Sequence, residues 1–174
     1  LRRDFTVNAM LYDPEKETVI DHVNGRADLA EKKIRAVGDP CRRFEEDRLR
    51  MLRAVRFAAV LGFTVEEETF AAIQKHAEGI REISAERIAG ELERMFTGPD
   101  PARALRLLDR SGLLPILLPE VSAMKGVPQP PQFHPEGDVW EHTLLCFEKA
   151  RPPLTPTLAF AGLFHDLGKT PTIK

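Results

Sequence analysis

Two groups of side chains in this sequence have the types and spacing to do chemistry. The first runs Glu45-Glu46-Asp47-Arg48-Leu49-Arg50-Met51-Leu52-Arg53-Ala54-Val55-Arg56, in which Asp47, Arg50, Arg53 and Arg56 recur every third residue. An ionised carboxylate only accepts hydrogen bonds, and each guanidinium offers five donors in a planar fork. Such a set is suited to reading a base edge and holding a triphosphate. The competing reading packs the arginine stems and sends their heads to water, leaving Asp47–Arg50 as an ordinary helical pair. The second group is His142, in Val139-Trp140-Glu141-His142-Thr143-Leu144, followed by His165-Asp166-Leu167-Gly168-Lys169. Imidazole and carboxylate are ligands for Zn, Ni, Mn or Mg with bound water, although histidines also serve as packed core residues. His22, His76 and His134 have no comparable partner and read as structural. Trp140 and Phe133 read as packing residues.

These groups need elements to position them. Residues 1–38 carry strand-like runs at Phe5–Leu11, Thr18–Val23 and Ile34–Val37. Asp13-Pro14 and Asn24-Gly25 mark turns between them, and Asp28–Lys33 reads as a short helix. From Asp39 the texture is helical. Glu45–Leu61 reads as one helix stopped by Gly62, where a positive φ is needed. At about 100° per residue the charged row drifts by about 60° per step, so neighbours share a face. The remaining positions are apolar, which predicts a helix packed on most sides with its charges aimed into a cleft. Thr64 and Glu67 form a capping-box pattern, Ser84 can cap a helix to Phe96, and Asp100-Pro101 starts one that ends at Gly112. Val121–Gly137, with Pro128, Pro130, Pro131 and Pro135, reads as an extended linker. Two further helices are expected at Asp138–Ala150 and Pro156–His165.

Composition excludes several classes. The 174 residues are 43% apolar and 30% charged, too apolar for disorder. Cys41 and Cys146 are the only cysteines, too few for a disulfide framework and without a C-x-x-C pair. A reducing, cytoplasmic setting is therefore expected. The apolar stretches Phe57–Phe63 and Leu113–Leu118 are far shorter than the ~18 residues of a membrane span. Net charge is −2, but 17 Arg stand against 8 Lys, and six of those Arg fall between Arg42 and Arg56. The chain opens at Leu1 inside a motif and stops at Lys174 just past another, which predicts a piece of a longer protein.

Three blocks together resemble a known family. They are Arg2-Arg3-Asp4-Phe5-Thr6-Val7-Asn8-Ala9-Met10, then Gly38-Asp39-Pro40, then Glu46-Asp47-Arg48-Leu49-Arg50 running on to Ala59. Their types and spacing resemble class II tRNA nucleotidyltransferases (CCA-adding enzymes) and bacterial poly(A) polymerases. Glu86-Arg87-Ile88 with Glu91-Leu92 is similar to the family's next, more structural motif, so the resemblance covers about residues 1–120. It implies that Asp47 and Arg50 hydrogen-bond the incoming base, selecting CTP or ATP without a template. Arg53 and Arg56 would help hold the nucleotide, and Arg3 would touch its triphosphate. His165-Asp166 with His142 resembles the start of an HD phosphohydrolase domain, implying a divalent metal on His142, His165 and Asp166. That site would be incomplete without a further downstream Asp and is expected to be empty in this chain.

The resemblance implies a mostly α fold in four parts. These are a small α/β palm remnant (1–38), a helical neck and body binding nucleotide and tRNA (39–121), the Pro-rich linker (122–137) and the first helices of an HD domain (138–174). The implied partners are the tRNA 3′ end, CTP and ATP, with no membrane. The implied chemistry adds C and A residues with Mg2+. The family's metal-binding carboxylates lie upstream of the Leu1 motif, so this stretch alone is expected to be inactive. Poly(A) polymerase, an HD phosphohydrolase with a helical regulator, and a non-catalytic RNA-binding module are the alternatives.

Overall fold

The structure is a computed structural model and describes residues 3–150 and 153–170; Arg2 of the first motif and the end at Lys174 lie outside them. It is mostly helical, as expected. The expected strand Phe5–Leu11 is instead a single antiparallel bridge, Phe5 to Ala36, followed by a 3-10 turn at Thr6–Asn8. The Asn8 side chain takes the Phe5 N–H at 3.1 Å, a local bond that competes with any sheet partner. Strands β1 (Leu11–Asp13) and β2 (Thr18–Ile20) form an antiparallel pair.

Helix α1 is Gly25–Ala30, earlier than the expected Asp28–Lys33. Asp21 explains the shift, because its carboxylate accepts the amides of Val23, Gly25 and Arg26. Those bonds, Arg26's first, hold its carboxyl below the ordinary range. Asn24 takes the left-handed conformation, and a Cβ on Gly25 would lie 2.3 Å from the Thr6 carbonyl oxygen. The Asn24-Gly25 turn is thus a docking point for the Thr6 turn. Asp28, from α1, is buried between Thr6 and Arg35.

Strand β3 (Lys33–Ile34) pairs in parallel with β4 (Thr64–Val65). Thr64 is therefore a strand residue rather than the expected cap. The cap of α4 (Glu67–His76) is Glu66, whose Oε2 accepts the Thr69 amide at 2.9 Å and hydroxyl at 2.8 Å.

The expected continuous helix at Glu45–Leu61 is two helices. Asp39 caps α2 (Pro40–Glu46), with Pro40 in its first turn. The chain then turns extended at Asp47 (φ −154°, ψ 104°) before α3 (Leu49–Leu61) begins. Asp47 Oδ1 accepts the Leu49 amide at 3.1 Å, so the side chain breaks the helix by offering the backbone another partner. Gly62 ends α3 with φ 68°, as the sequence predicts.

Helix α3 is the axis of the core. Met51, Leu52, Ala54, Val55 and Ala58 are fully buried, against α5 (Ala85–Phe96) and α6 (Pro101–Arg110). The Asp100-Pro101 cap of α6 forms as expected, with Asp100 accepting the Arg103 amide. Short helices α7 (Leu114–Leu117) and α8 (Pro119–Ser122) follow. The latter overlaps the expected extended linker, and Val127 and Gln129 pack inward. Helices α9 (Val139–Lys149) and α10 (Pro156–Phe164) match expectation, capped by Asp138 and Thr155. One apolar cluster runs from Phe5 to Leu163. Phe96 of α5 joins its ends, stacking on Phe147 (5.8 Å) and meeting Phe160 edge-on (6.0 Å). Trp140 is buried, but Phe133, expected to pack, is 73% exposed. No described helix is long and apolar enough to cross a membrane.

Candidate nucleotide site and histidine cluster

The arginines lie on the one stripe of α3 that the core leaves open, and each has an acidic partner within the chain. Arg50 Nη1 donates to Glu46 Oε2 (2.6 Å) and to the Arg43 carbonyl (2.9 Å). Its Nε lies 3.3 Å from Asp4 Oδ1 without hydrogen-bond alignment. Arg53 Nε and Nη2 both reach Asp4 Oδ2 at 2.6 Å. Arg56 Nε donates to Glu91 Oε2 at 2.5 Å, with its guanidinium over the Phe57 ring at 4.1 Å. Glu91 also accepts from Arg94 at 2.8 Å. Arg50 and Arg53 therefore converge on Asp4, while Arg53 and Arg56 share Glu91.

Asp47 sits in the break before α3, with its carboxylate on Arg87 Nη2 at 3.0 Å. The row read as four residues on one helix is thus three arginines plus an aspartate re-aimed by the break. Arg3 is exposed, and its carbonyl accepts Arg43 Nη2 at 2.6 Å. Arg50's hydrogen bond, ahead of Arg43's, holds the Glu46 carboxyl below its usual range. A surface depression of about 290 Å³ adjoins this end, lined by Gly38, Asp39, Arg42, Arg43 and Glu46.

Sequence reasoning gave no role to Asp4, Glu91 or Arg87, although all three stand inside the quoted motifs. The available signal was electrostatic, since three arginines on a buried helix need carboxylates. Which carboxylates could not be read, because Asp4 and Arg53 are 49 positions apart.

The histidine cluster forms around α9 and the end of α10. His142 Nε2 lies 3.8 Å, and His165 Nε2 3.3 Å, from Asp166 Oδ2, so the three expected metal ligands do come together. Glu136 accepts from His142 Nδ1 at 2.5 Å and from His134 Nδ1 at 3.1 Å. With its own backbone amide acting first, these bonds lower its carboxyl to about 2. His134, expected to be merely structural, thus belongs to this cluster. His165 Nδ1 is 2.8 Å from the Gly162 carbonyl. In both His142 and His165 the Nδ1 atom is engaged by an acceptor, which leaves Nε2 as the atom turned towards Asp166, the arrangement of metal-ligating histidines. The donor set therefore fits a divalent cation. Burial works to raise the Asp166 carboxyl, but hydrogen bonding to Lys169 (2.7 Å) and the charges of His165, Lys169 and His142 hold it low.

Comparison with known proteins agrees with the motifs on either side of the arginine helix. Residues 1–35 match the family described as the poly A polymerase head domain. Residues 62–125 match the probable RNA and SrmB-binding site of polymerase A. The multifunctional CCA protein of Thioalkalivibrio sulfidiphilus is 43% identical over 99% of this chain and 42% of its own length. Nearly the whole chain is thus similar to a multifunctional CCA protein. The multifunctional CCA protein of Vibrio cholerae is 41% identical over 97% of the chain. Among solved structures, the CCA-adding enzyme of Bacillus stearothermophilus in complex with CTP is 44% identical, with a TM-score of 0.66. That match covers 71% of this chain and 32% of that one. A tRNA nucleotidyltransferase complexed with a primer tRNA and an incoming ATP analog is 25% identical, with a TM-score of 0.67. It covers 99% of this chain and 53% of that one. The chain spans about 42% of the length of the curated relatives it matches.

Proposed function

We propose that this chain is the base-selecting and tRNA-binding part of a nucleotidyltransferase that adds C and A residues to the tRNA 3′ end from CTP and ATP. The supporting observation is the arginine stripe of α3 with Asp47 at its head, within a sequence similar over 71% of its length to an enzyme solved with CTP and over 99% to one solved with a primer tRNA and an ATP analog. Asp47 offers acceptors and Arg50 donors, the complement of a base's Watson–Crick edge. Arg53 and Arg56 hold the nucleotide, and the exposed Arg3 meets its triphosphate. In the free chain Arg87, Glu46, Asp4 and Glu91 occupy these groups, so nucleotide binding exchanges intramolecular partners for ligand. Arg87 is 50% exposed and can swing off Asp47.

Residues 1–38 serve as the end of the palm, 39–121 as neck and body, and 122–137 as the connection to an HD domain that begins at 138. Nucleotidyl transfer would depend on Mg2+ for charge stabilisation, and no ligand for it is assigned to these segments. In the whole protein, Asp47→Ala and Arg50→Ala should change the CTP-to-ATP incorporation ratio more than tRNA affinity. Equal loss for both nucleotides with unchanged discrimination would refute the assignment.

A second activity is supported by the convergence of His142, His165 and Asp166. These residues hold a divalent metal, which would supply an activated water for phosphoester hydrolysis. Glu136 orients His142, and Lys169 holds Asp166.

A further inference from the structure

The sequence reading joins these three metal ligands to a further downstream Asp, and a side chain that it passed over also faces the cluster. Cys146 stands one helical turn after His142 on α9, so the two side chains share a face. Its Sγ is 3.5 Å from His142 Nε2. The ligand atoms of His142, Cys146 and His165 all lie within 4.8 Å of one another. Together with Asp166 Oδ2 they form a set of two nitrogens, one oxygen and one sulfur. Three of its six separations are 3.3 Å (His165–Asp166), 3.5 Å (Cys146–His142) and 3.8 Å (His142–Asp166). A tetrahedral ion with bonds of about 2.0–2.3 Å places its ligands roughly 3.3–3.8 Å apart. Those three separations therefore suit ligands of one ion.

We infer that Cys146 is a further ligand and that the site is a zinc site that uses His142, Cys146, His165 and Asp166. This rests on the metal-binding reading of His142, His165 and Asp166. It goes beyond that reading in adding a thiolate ligand and in choosing the metal. Histidine and carboxylate alone are compatible with Mn2+, Ni2+ or Mg2+, whereas a thiolate selects for softer ions such as Zn2+. On binding, the thiol proton leaves to solvent and the sulfur bonds the ion. The groups that orient these ligands are already in place. Glu136 and the Gly162 carbonyl hold the two imidazoles by Nδ1, and Lys169 holds Asp166 with its other contact on Gln129 at 2.7 Å.

Cobalt(II) tests this on the chain as it stands, because a thiolate ligand gives a near-ultraviolet charge-transfer band and a tetrahedral site gives strong visible bands. Both should appear on titration with Co2+, disappear when Zn2+ is added, persist in excess Mg2+ and survive Cys41→Ser. Cys146→Ser should lose the charge-transfer band and weaken Zn2+ binding by at least about tenfold, the low end for loss even of an outer-shell partner. Co2+ binding that is lost in His165→Ala but shows no charge-transfer band would overturn the role of Cys146 and leave the three-residue site standing. No Co2+ binding, or binding indifferent to His165→Ala, would overturn both. The wild-type spectrum is itself decisive, so the test does not depend on the serine variant folding.

Discussion

Glu91 shows what an arginine row requires of its surroundings. Its side chain is 3% exposed and meets Arg53, Arg56 and Arg94, while that of Arg56 is itself 14% exposed. Removing one member of a buried pair leaves the other charge without compensation, which costs several kcal/mol. Glu91→Ala should therefore destabilise the chain by about 3 kcal/mol, at the low end of that range because Arg53 and Arg94 can turn to water. Glu91→Gln, which keeps an acceptor, should lose less. Denaturant midpoints for the two variants decide it, and an unchanged midpoint for the alanine would show that water already screens the network. Glu136 carries a pH signature. Its carboxyl lies at about 2 in the folded chain against 4.5 ordinarily. A lowered carboxylate stabilises fully above its unfolded value and loses that contribution as the pH falls through the folded one. The melting difference between wild type and Glu136→Gln should shrink steadily as the pH falls from about 5 towards 2. A difference independent of pH would mean that Glu136 acts by shape alone.

At the scale of elements, the decisive features are breaks rather than helices. The extended residue at Asp47 separates α2 from α3 and brings the carboxylate to Arg87. A continuous helix would have left it one turn below Arg50, as an ordinary i,i+3 pair. Gly25 plays the matching role at the start of the chain. It seats α1 against the Thr6 turn, whose next neighbours are Phe5 and the Asp4 that binds Arg50 and Arg53. A methyl group there would lie 2.3 Å from a backbone oxygen that has no flexible way to yield. Gly25→Ala should cost about 1–3 kcal/mol. Calorimetry would register this as a fall of several degrees in Tm, whereas an unchanged Tm would show that α1 slides freely.

Across the whole molecule, the N-terminal turn, the central helices and the histidine cluster belong to one packed unit. Phe5 meets Phe57 at 5.6 Å on one side of α3, and Phe96 meets Phe147 and Phe160 at the far end. Arg106 of α6 also pairs with Glu148 of α9. The arginine stripe proposed to select the nucleotide and the histidine cluster are thus held by one core, and the carboxylates on the stripe, Asp4 and Glu91, are engaged by arginines. The chain of residues 1–174 should incorporate no labelled CTP or ATP into tRNA. Robust extension by this chain would mean that its own carboxylates perform the transfer.

Much of this was legible in the residues themselves. Helix ends at Gly62 and Asp100-Pro101 are written in local backbone chemistry, where a cap or a left-handed turn acts over three or four positions. The arginine row and the His-Asp pair were also visible, because spacing along one helix is periodic in the sequence. Only the tertiary structure decided that Asp4 and Glu91 neutralise the row, that Arg87 takes Asp47, and that Cys146 and Glu136 join His142. Most of those pairings join different elements, and even the nearer ones turn on how a helix break or a loop aims the side chain. Burial sets both the cost of an unpaired charge and the partner that relieves it, and burial is a property of the packed chain, with no period that a sequence can display.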